Sequence, residues 1–315
     1  MAAVSAAGPS LSVVVPATDA PPTLGRSRDA LAAQLRPNLG DELIVVEACE
    51  LPGPAAARND GARRARGEVL VFVDADVVVH PGALERIRAA FASAPAPQAL
   101  FGAYDDRPEA PGTVSRFRNL LHHHVHSEAA GEVASFWAGL GAIDAATFDR
   151  HGGFDAGAYP RPSIEDIELG ARIAAAGGRI VCDPLVQGTH LKRWTLRSML
   201  CTDLLLRGAP WVELLVRSRS SAGQLNLGWR HRLSALAALA AAVALARCRP
   251  GAAVVALAAL PGLNLSLYSL LRRRLGPARL PAALGVHVLH HLAAVASVPL
   301  GIARAAQRRS KTPSA

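Results

Sequence analysis

Beyond Glu213 the sequence holds no aspartate or glutamate at all, yet 14 of its lysines and arginines lie there. Up to that residue 25 acids face 20 bases, so the overall charge of +9 is the average of two unlike pieces. The C-terminal third therefore does not have an ordinary mixed-charge surface, which leaves membrane segments or a set of buried core helices. A nucleic-acid arm is excluded as well, because the arginines there punctuate apolar runs and do not cluster with aromatic or polar partners. Charged residues make up only 19% of the 315 residues and apolar ones 50%, which rules out a disordered or fibrous chain. Cysteine is scarce. Cys49, Cys182, Cys201 and Cys248 stand far apart without paired spacing, which excludes a disulfide framework and reads as reduced packing residues in a reducing compartment. The opening MAAVSAAGPS lacks the basic and apolar regions of a secretory signal.

The uncharged runs of the C-terminal third read as membrane segments. Pro250 to Leu271 and Leu280 to Ile302 carry no charge and match the roughly 20 residues that cross a hydrocarbon core. Leu233 to Ala246 is equally apolar but shorter, and it spans only if its flanking arginines snorkel. Two or three spans are therefore expected over 233–303, with a basic tail at 304–315. With the acidic part and the loop after the second span on one side, eight arginines lie there against six bases opposite, so the soluble part is expected in the cytoplasm of a multi-pass inner-membrane protein. In 196–232, Leu196, Met199, Leu200 and Leu204 line one helical face, suiting a segment that lies in the membrane surface, with Trp211 as an anchor.

Residues 1–195 read differently. Leu11 to Val15, Leu43 to Val46 and Val69 to Val73 are β-branched runs of the kind buried on both faces, separated by helical stretches at Thr23 to Leu35 and Ala55 to Arg66. This alternation predicts an α/β fold with a doubly wound, mostly parallel sheet. Ligands of such sheets sit beyond the carboxyl ends of the strands. The third run passes straight into Asp74-Ala75-Asp76, and two carboxylates so placed suit Mg²⁺ or Mn²⁺ bridging to phosphates, or an acidic turn before a helix begun by Pro81 and Gly82.

The stretch Ala57 to Leu84, ARNDGARRARGEVLVFVDADVVVHPGAL, resembles the core signature of family 2 glycosyltransferases with a GT-A fold. SVVVPA near the start, GLGAIDAATFDRHGGFD and SIEDIELGARIAAAGGRI match further pieces in the same order, so the likeness covers roughly residues 10 to 215. It implies an inverting transfer of a sugar from a nucleotide-sugar donor, with a divalent metal as cofactor. The fused apolar segments add a membrane-presented acceptor, a lipid or polyprenyl phosphate. A membrane-anchored sugar-nucleotide-binding pseudoenzyme and a nucleotidyltransferase on the same sheet are the alternatives.

By the same resemblance, Pro16, Ala17 and Glu47 at the first two strand ends hold the nucleotide, with Glu47 in place of the family's usual Asp. Arg58 and Asn59 lie near the nucleotide. Asp76 coordinates the metal, Asp74 contacts ribose or sugar and shares the metal, and His190 completes its shell. Lys192 and Arg193 neutralise the diphosphate; the same His-Leu-Lys-Arg-Trp run also suits an interfacial anchor. Asp166 is the base that takes the acceptor's proton and Glu165 supports it, while the bland reading has Ser163 capping a helix whose acids complement its dipole. Trp137, Gly139 and Gly141 fall under the acceptor. The run His122-His123-His124-Val125-His126 sits in helical register, where neighbours point apart, and reads as an acceptor-side helix rather than a metal cluster. Asn264, His287, His290 and His291 are polar within apolar segments, either packing helices or meeting a lipid headgroup.

Overall fold

Valine-rich runs of five or six residues build the centre of the first unit. In the computed structural model, which describes residues 8–218 and 228–311, these are β1 (Leu11–Pro16), β2 (Glu42–Val46) and β3 (Val69–Val73), with α1 (Leu24–Ala32) and α2 (Pro54–Arg64) between them. β1 pairs with β2 and β3 in parallel, as the alternation predicts. Leu11, Val13, Val14 and Val15 of β1 and Val71, Phe72 and Val73 of β3 are shut away from solvent, so both faces of these strands are core. α2 can lie close on β1 because Gly61 has no side chain: a Cβ there would stand 2.3 Å from Val14 Cγ1.

The remaining elements of this unit are β4 (Val77–Val79), α3 (Ala83–Phe91), β5 (Ala99–Tyr104), the end of α4 (Thr113–Glu128), β6 (Gly131–Val133), β7 (Leu140–Asp144), α5 (Ala145–Arg150), α6 (Glu165–Ala175) and β8 (Ile180–His190). The strand order is β2-β1-β3-β7-β5-β8-β4, with β6 on β8. The expectation of a mostly parallel sheet is corrected here: β7 runs antiparallel to both β3 and β5, and β4 and β6 run antiparallel to β8. A fully buried apolar strand carries the same hydrophobic pattern in either direction, so its composition does not reveal its polarity. β8 also runs on to His190, past a register shift opposite Phe101 to Ala103, well beyond the short run at its start. The turn after Asp74-Ala75-Asp76 leads into β4 before any helix, and α3 begins only at Ala83.

Residues 8–109 and 125–192 form this sheet unit, and residues 110–124 group with the chain from Arg193 onward. α4 is thus one unbroken helix whose first part belongs to the helical unit. The helical unit contains α7 (Leu196–Cys201), a π-helical turn (Thr202–Gly208), α8 (Ala209–Ser218), α9 (Trp229–Ala246), α10 (Pro250–Leu263), α11 (Leu265–Leu275) and α12 (Leu280–Lys311). Its core joins Phe117 and Leu120 of α4 to Trp194, Met199, Leu267, Leu270, Leu271, Ala283 and Val286. Met199 is fully buried while Leu196 is exposed, so the expected surface stripe on this segment is divided. The cysteine expectation also holds only in part: Cys182 is buried, its thiol pushed up to about 12 by burial and by Asp183, but Cys201 and Cys248 are exposed.

Among the described residues one helix, Pro277–Arg308, is long and apolar enough to cross a membrane. The expected span Pro250 to Leu271 is not straight: α10 and α11 meet at an angle of 86°. Pro261 removes a backbone donor just before the break, and at the break the Asn264 side chain donates to Leu260 O and to Ser234 Oγ of α9, both at 2.8 Å.

Candidate active site

The carboxyl ends of β1, β2 and β3 lie side by side, and Ala17 N donates to Val46 O at 2.9 Å. Pro16 is half-buried, Ala17 buried and Glu47 exposed at the end of β2. From α2, beneath these ends, Arg58 reaches the acids. Its Nη2 donates to Asp74 Oδ1 at 2.6 Å and its Nη1 to Glu165 Oε1 at 2.9 Å. The Arg58 and Glu165 side chains are each only 5% exposed, against 31% for Asp74, so the guanidinium is the buried hub of three separate sequence motifs. Burial alone would lower its pKa, but Asp74, Glu165 and Asp166 together hold it above the ordinary arginine value. The ring of Phe154 lies 5.6 Å from the guanidinium carbon, and Asn59 fixes that ring's backbone by accepting from Phe154 N at 3.0 Å and donating to Phe154 O at 2.8 Å.

Asp76 belongs to a second cluster. Leu191 N donates to Asp76 O at 2.8 Å, tying the acidic turn to the end of β8, and the His190 Nε2 lies 3.5 Å from Asp76 Oδ2. Burial would raise the Asp76 pKa; the hydrogen bond and charge of His190, with the charge of Lys192, hold it below the usual carboxylate range. Tyr104 stacks on the His190 ring at 4.0 Å and meets Trp137 edge-on at 4.7 Å. One carboxylate oxygen and one imidazole nitrogen at this separation fit a divalent cation of intermediate hardness such as Mn²⁺, with Asp74 two residues away.

The residues expected on the acceptor side join the same framework. Asp74 N donates to Gly139 O at 3.0 Å, and Ala138 N donates to Asp166 Oδ2 at 3.1 Å. The backbone between Trp137 and Gly139 therefore links the Asp74 turn to the start of α6. A Cβ on Gly139 would stand 2.4 Å from Trp137 Cζ2, and one on Gly141 2.3 Å from Trp137 O, so only glycine leaves room for the tryptophan. The bland reading of Ser163 as a cap is corrected: Ile164 occupies the cap position without a side-chain bond, and Ser163 N instead donates to Glu165 Oε2 at 2.9 Å. Glu165 is thus held by Arg58 and its own turn, whereas Asp166 is half-buried.

Of the expected site residues, Pro16, Ala17, Glu47, Arg58, Asn59, Asp74, Asp76, Trp137, Gly139, Gly141, Glu165, Asp166, His190 and Lys192 all lie in the sheet unit. Arg193 is exposed and is the first residue of the chain that continues the helical unit. In the histidine run, His126 is buried and its Nδ1 lies 3.0 Å from Gly102 O, while among the described residues the run supplies no three-ligand group. One cluster escaped the sequence reading: His80 Nε2 lies 3.0 Å from Asp105 Oδ2 and 3.1 Å from Thr189 Oγ1, joining β4, β5 and β8. Its three members are 25 to 109 residues apart, and the pairing of β8 with both β4 and β5 brings them together.

Residues 47–128 match the family model described as Glycosyl transferase family 2. No curated protein sequence matches the chain. Among solved structures, the chain is similar to a mannosyltransferase from Pyrobaculum calidifontis in complex with GDP-Man and Mn²⁺, at 18% identity over 94% of this chain and 87% of that one, with a TM-score of 0.54. TarS of S. aureus in complex with UDP-GlcNAc aligns over 96% of this chain and 92% of its own at 14% identity, with a TM-score of 0.44. The family match is confined to residues 47–128, and the mixed α/β sheet is consistent with a GT-A fold.

Proposed function

We propose that this chain is an inverting glycosyltransferase that moves a sugar from a nucleotide-sugar donor to an acceptor presented at a membrane. The observation that carries the proposal is Arg58, which draws Asp74 and Glu165 into one buried ion cluster and so assembles the ARN, D-x-D and E-D motifs at the strand ends. A pseudoenzyme would have no use for the intact set of acids.

Pro16, Ala17, Glu47 and Asn59 frame the nucleotide, and Asp74 receives ribose or sugar. Asp76, Asp74 and His190 would hold Mg²⁺ or Mn²⁺, which supplies positive charge to the departing diphosphate. Lys192 and Arg193 add to that neutralisation. Trp137, with Gly139 and Gly141, supports the acceptor. The acceptor oxygen attacks the anomeric carbon as the bond from that carbon to the diphosphate oxygen breaks, and configuration inverts. When the acceptor is a hydroxyl, its proton passes to Asp166, whose backbone bond from Ala138 N orients the carboxylate. Glu165 positions the start of α6 through Arg58 and is a positioning residue. An acceptor phosphate is already ionised and needs no base. The membrane part of the proposal is supported by α12 and by the exposed apolar side chains Leu236, Leu245, Val254, Val255 and Leu265 on the helical unit.

Membranes containing the full chain are incubated with a panel of nucleotide sugars, and new glycolipid is identified by mass spectrometry. Product is expected that disappears with chelator and with Asp76→Asn. Asp166→Asn is expected to abolish transfer to a lipid hydroxyl, by about 100-fold or more, and to spare transfer to a polyprenyl phosphate. Absence of any product in intact membranes, or release of pyrophosphate instead of a nucleoside diphosphate, defeats the reading.

A further inference from the structure

The helical unit contains a histidine cluster that glycosyl transfer does not use. His231 stands two residues into α9, and His290 and His291 lie midway along α12. One ligand atom from each lies within 4.8 Å of the other two. Nitrogens on a tetrahedral Zn²⁺ at about 2.1 Å stand about 3.4 Å apart, so the three side chains must turn inward by roughly an ångström to share one ion. We propose that His231, His290 and His291 bind one borderline transition-metal ion of the Zn²⁺ class, tying α9 to α12.

The surroundings of the three rings favour this. His290 Nδ1 lies 2.7 Å from Asp203 Oδ2, which commits that nitrogen and leaves Nε2 as the donor atom. Asp203 is itself buried and held by Arg118 at 2.8 Å, so the carboxylate–histidine arrangement that orients metal ligands is already built. His291 is 2% exposed, and among the described residues its buried Nδ1 has no hydrogen-bond partner. Such an atom costs free energy unless something binds it. The neighbouring bonds allow a tautomer that fits: Tyr268 OH lies 3.1 Å from His287 Nδ1, and His287 Nε2 lies 3.0 Å from His291 Nε2. When His287 donates from Nδ1 to the tyrosine oxygen, His291 donates from Nε2 to His287, and its buried Nδ1 presents a bare lone pair. Three neutral nitrogens with no direct carboxylate select Zn²⁺, Co²⁺ or Ni²⁺ over Mg²⁺, which separates this site from Asp76. The fourth position is left to water.

The test is Co²⁺ titration of the full chain, purified in detergent on a histidine-free affinity tag and stripped with chelator, followed by visible absorption and elemental analysis. Expected is one Co²⁺ per chain with the intense d–d bands of a tetrahedral site, displaced by Zn²⁺. His231→Gln, on a half-exposed position that folding tolerates, and His291→Ala are expected to abolish the bands. Asp203→Asn is expected to weaken binding by roughly 10- to 100-fold. Asp76→Asn, and the triple change of His122, His123 and His124 to Gln, are expected to leave the bands intact, so the result stands apart from the fate of the transferase reading. A wild-type protein without a stoichiometric absorbing complex overturns the proposal, and so does a complex that survives His231→Gln together with His291→Ala.

Discussion

Replacing Arg58 by methionine tests the ion cluster most directly. The change keeps an unbranched apolar side chain of similar reach in α2 but removes the Arg58 charge bonded to Glu165, whose side chain is 5% exposed. Deleting one partner of a buried pair costs about 3–5 kcal/mol, because the remaining charge is stranded in low dielectric. Asp74 adds little to this figure, since at 31% exposure water can solvate it. For a unit of this size the loss corresponds to a fall in melting temperature of roughly 6–20 °C. Thermal unfolding of the detergent-solubilised full chain would be followed for wild type, Arg58→Met, Glu165→Gln and the double variant. The double variant is expected to recover about 2 kcal/mol or more relative to the sum of the single changes, because no buried charge then lacks a partner. A loss of under about 1 kcal/mol, or strict additivity with Glu165→Gln, refutes the claim that this pair organises the site.

Asp203, with Arg118 and His290 as partners, has its pKa lowered to about 2 against an ordinary 3.8 despite its burial. Its stabilisation is therefore fully present above about pH 4 and lost as pH falls towards 2, an effect of about 2 kcal/mol, and acid unfolding of Asp203→Asn should lack that component. Gly139→Ala forces the Trp137 ring to move and should cost about 1–3 kcal/mol by thermal unfolding, with a shift in tryptophan emission; unchanged stability and emission would show that the ring has room to spare.

The sequence made the parallel half of the sheet and the acidic turn legible because β-branched runs and the D-x-D spacing are local signals. What it concealed was long-range. The direction of β7 leaves no periodic trace when both faces are buried, and the bend at Asn264 depends on a serine 30 residues earlier. The role of Arg58 was partly readable. Along α2 it shares a face with Ala55, Gly61 and Ala62, three and four positions away, whereas Arg63 and Arg64 fall elsewhere and remain exposed. A lone cation on a stripe of small residues calls for buried anions, and the two acidic motifs were its natural partners. The His80, Asp105 and Thr189 cluster gave no such hint, since each residue is unremarkable in its own neighbourhood.

Because the polypeptide visits the helical unit at 110–124, returns to the sheet, and leaves again only after Lys192, the sheet unit cannot be obtained by a single cut. A protein ending at Lys192 would carry Phe117 and Leu120 stripped of Trp194, Met199, Leu267 and Leu271, and it would be prone to clump. On the ribosome, likewise, the first stretch of α4 must wait for the last hundred residues before its oily side is sheltered.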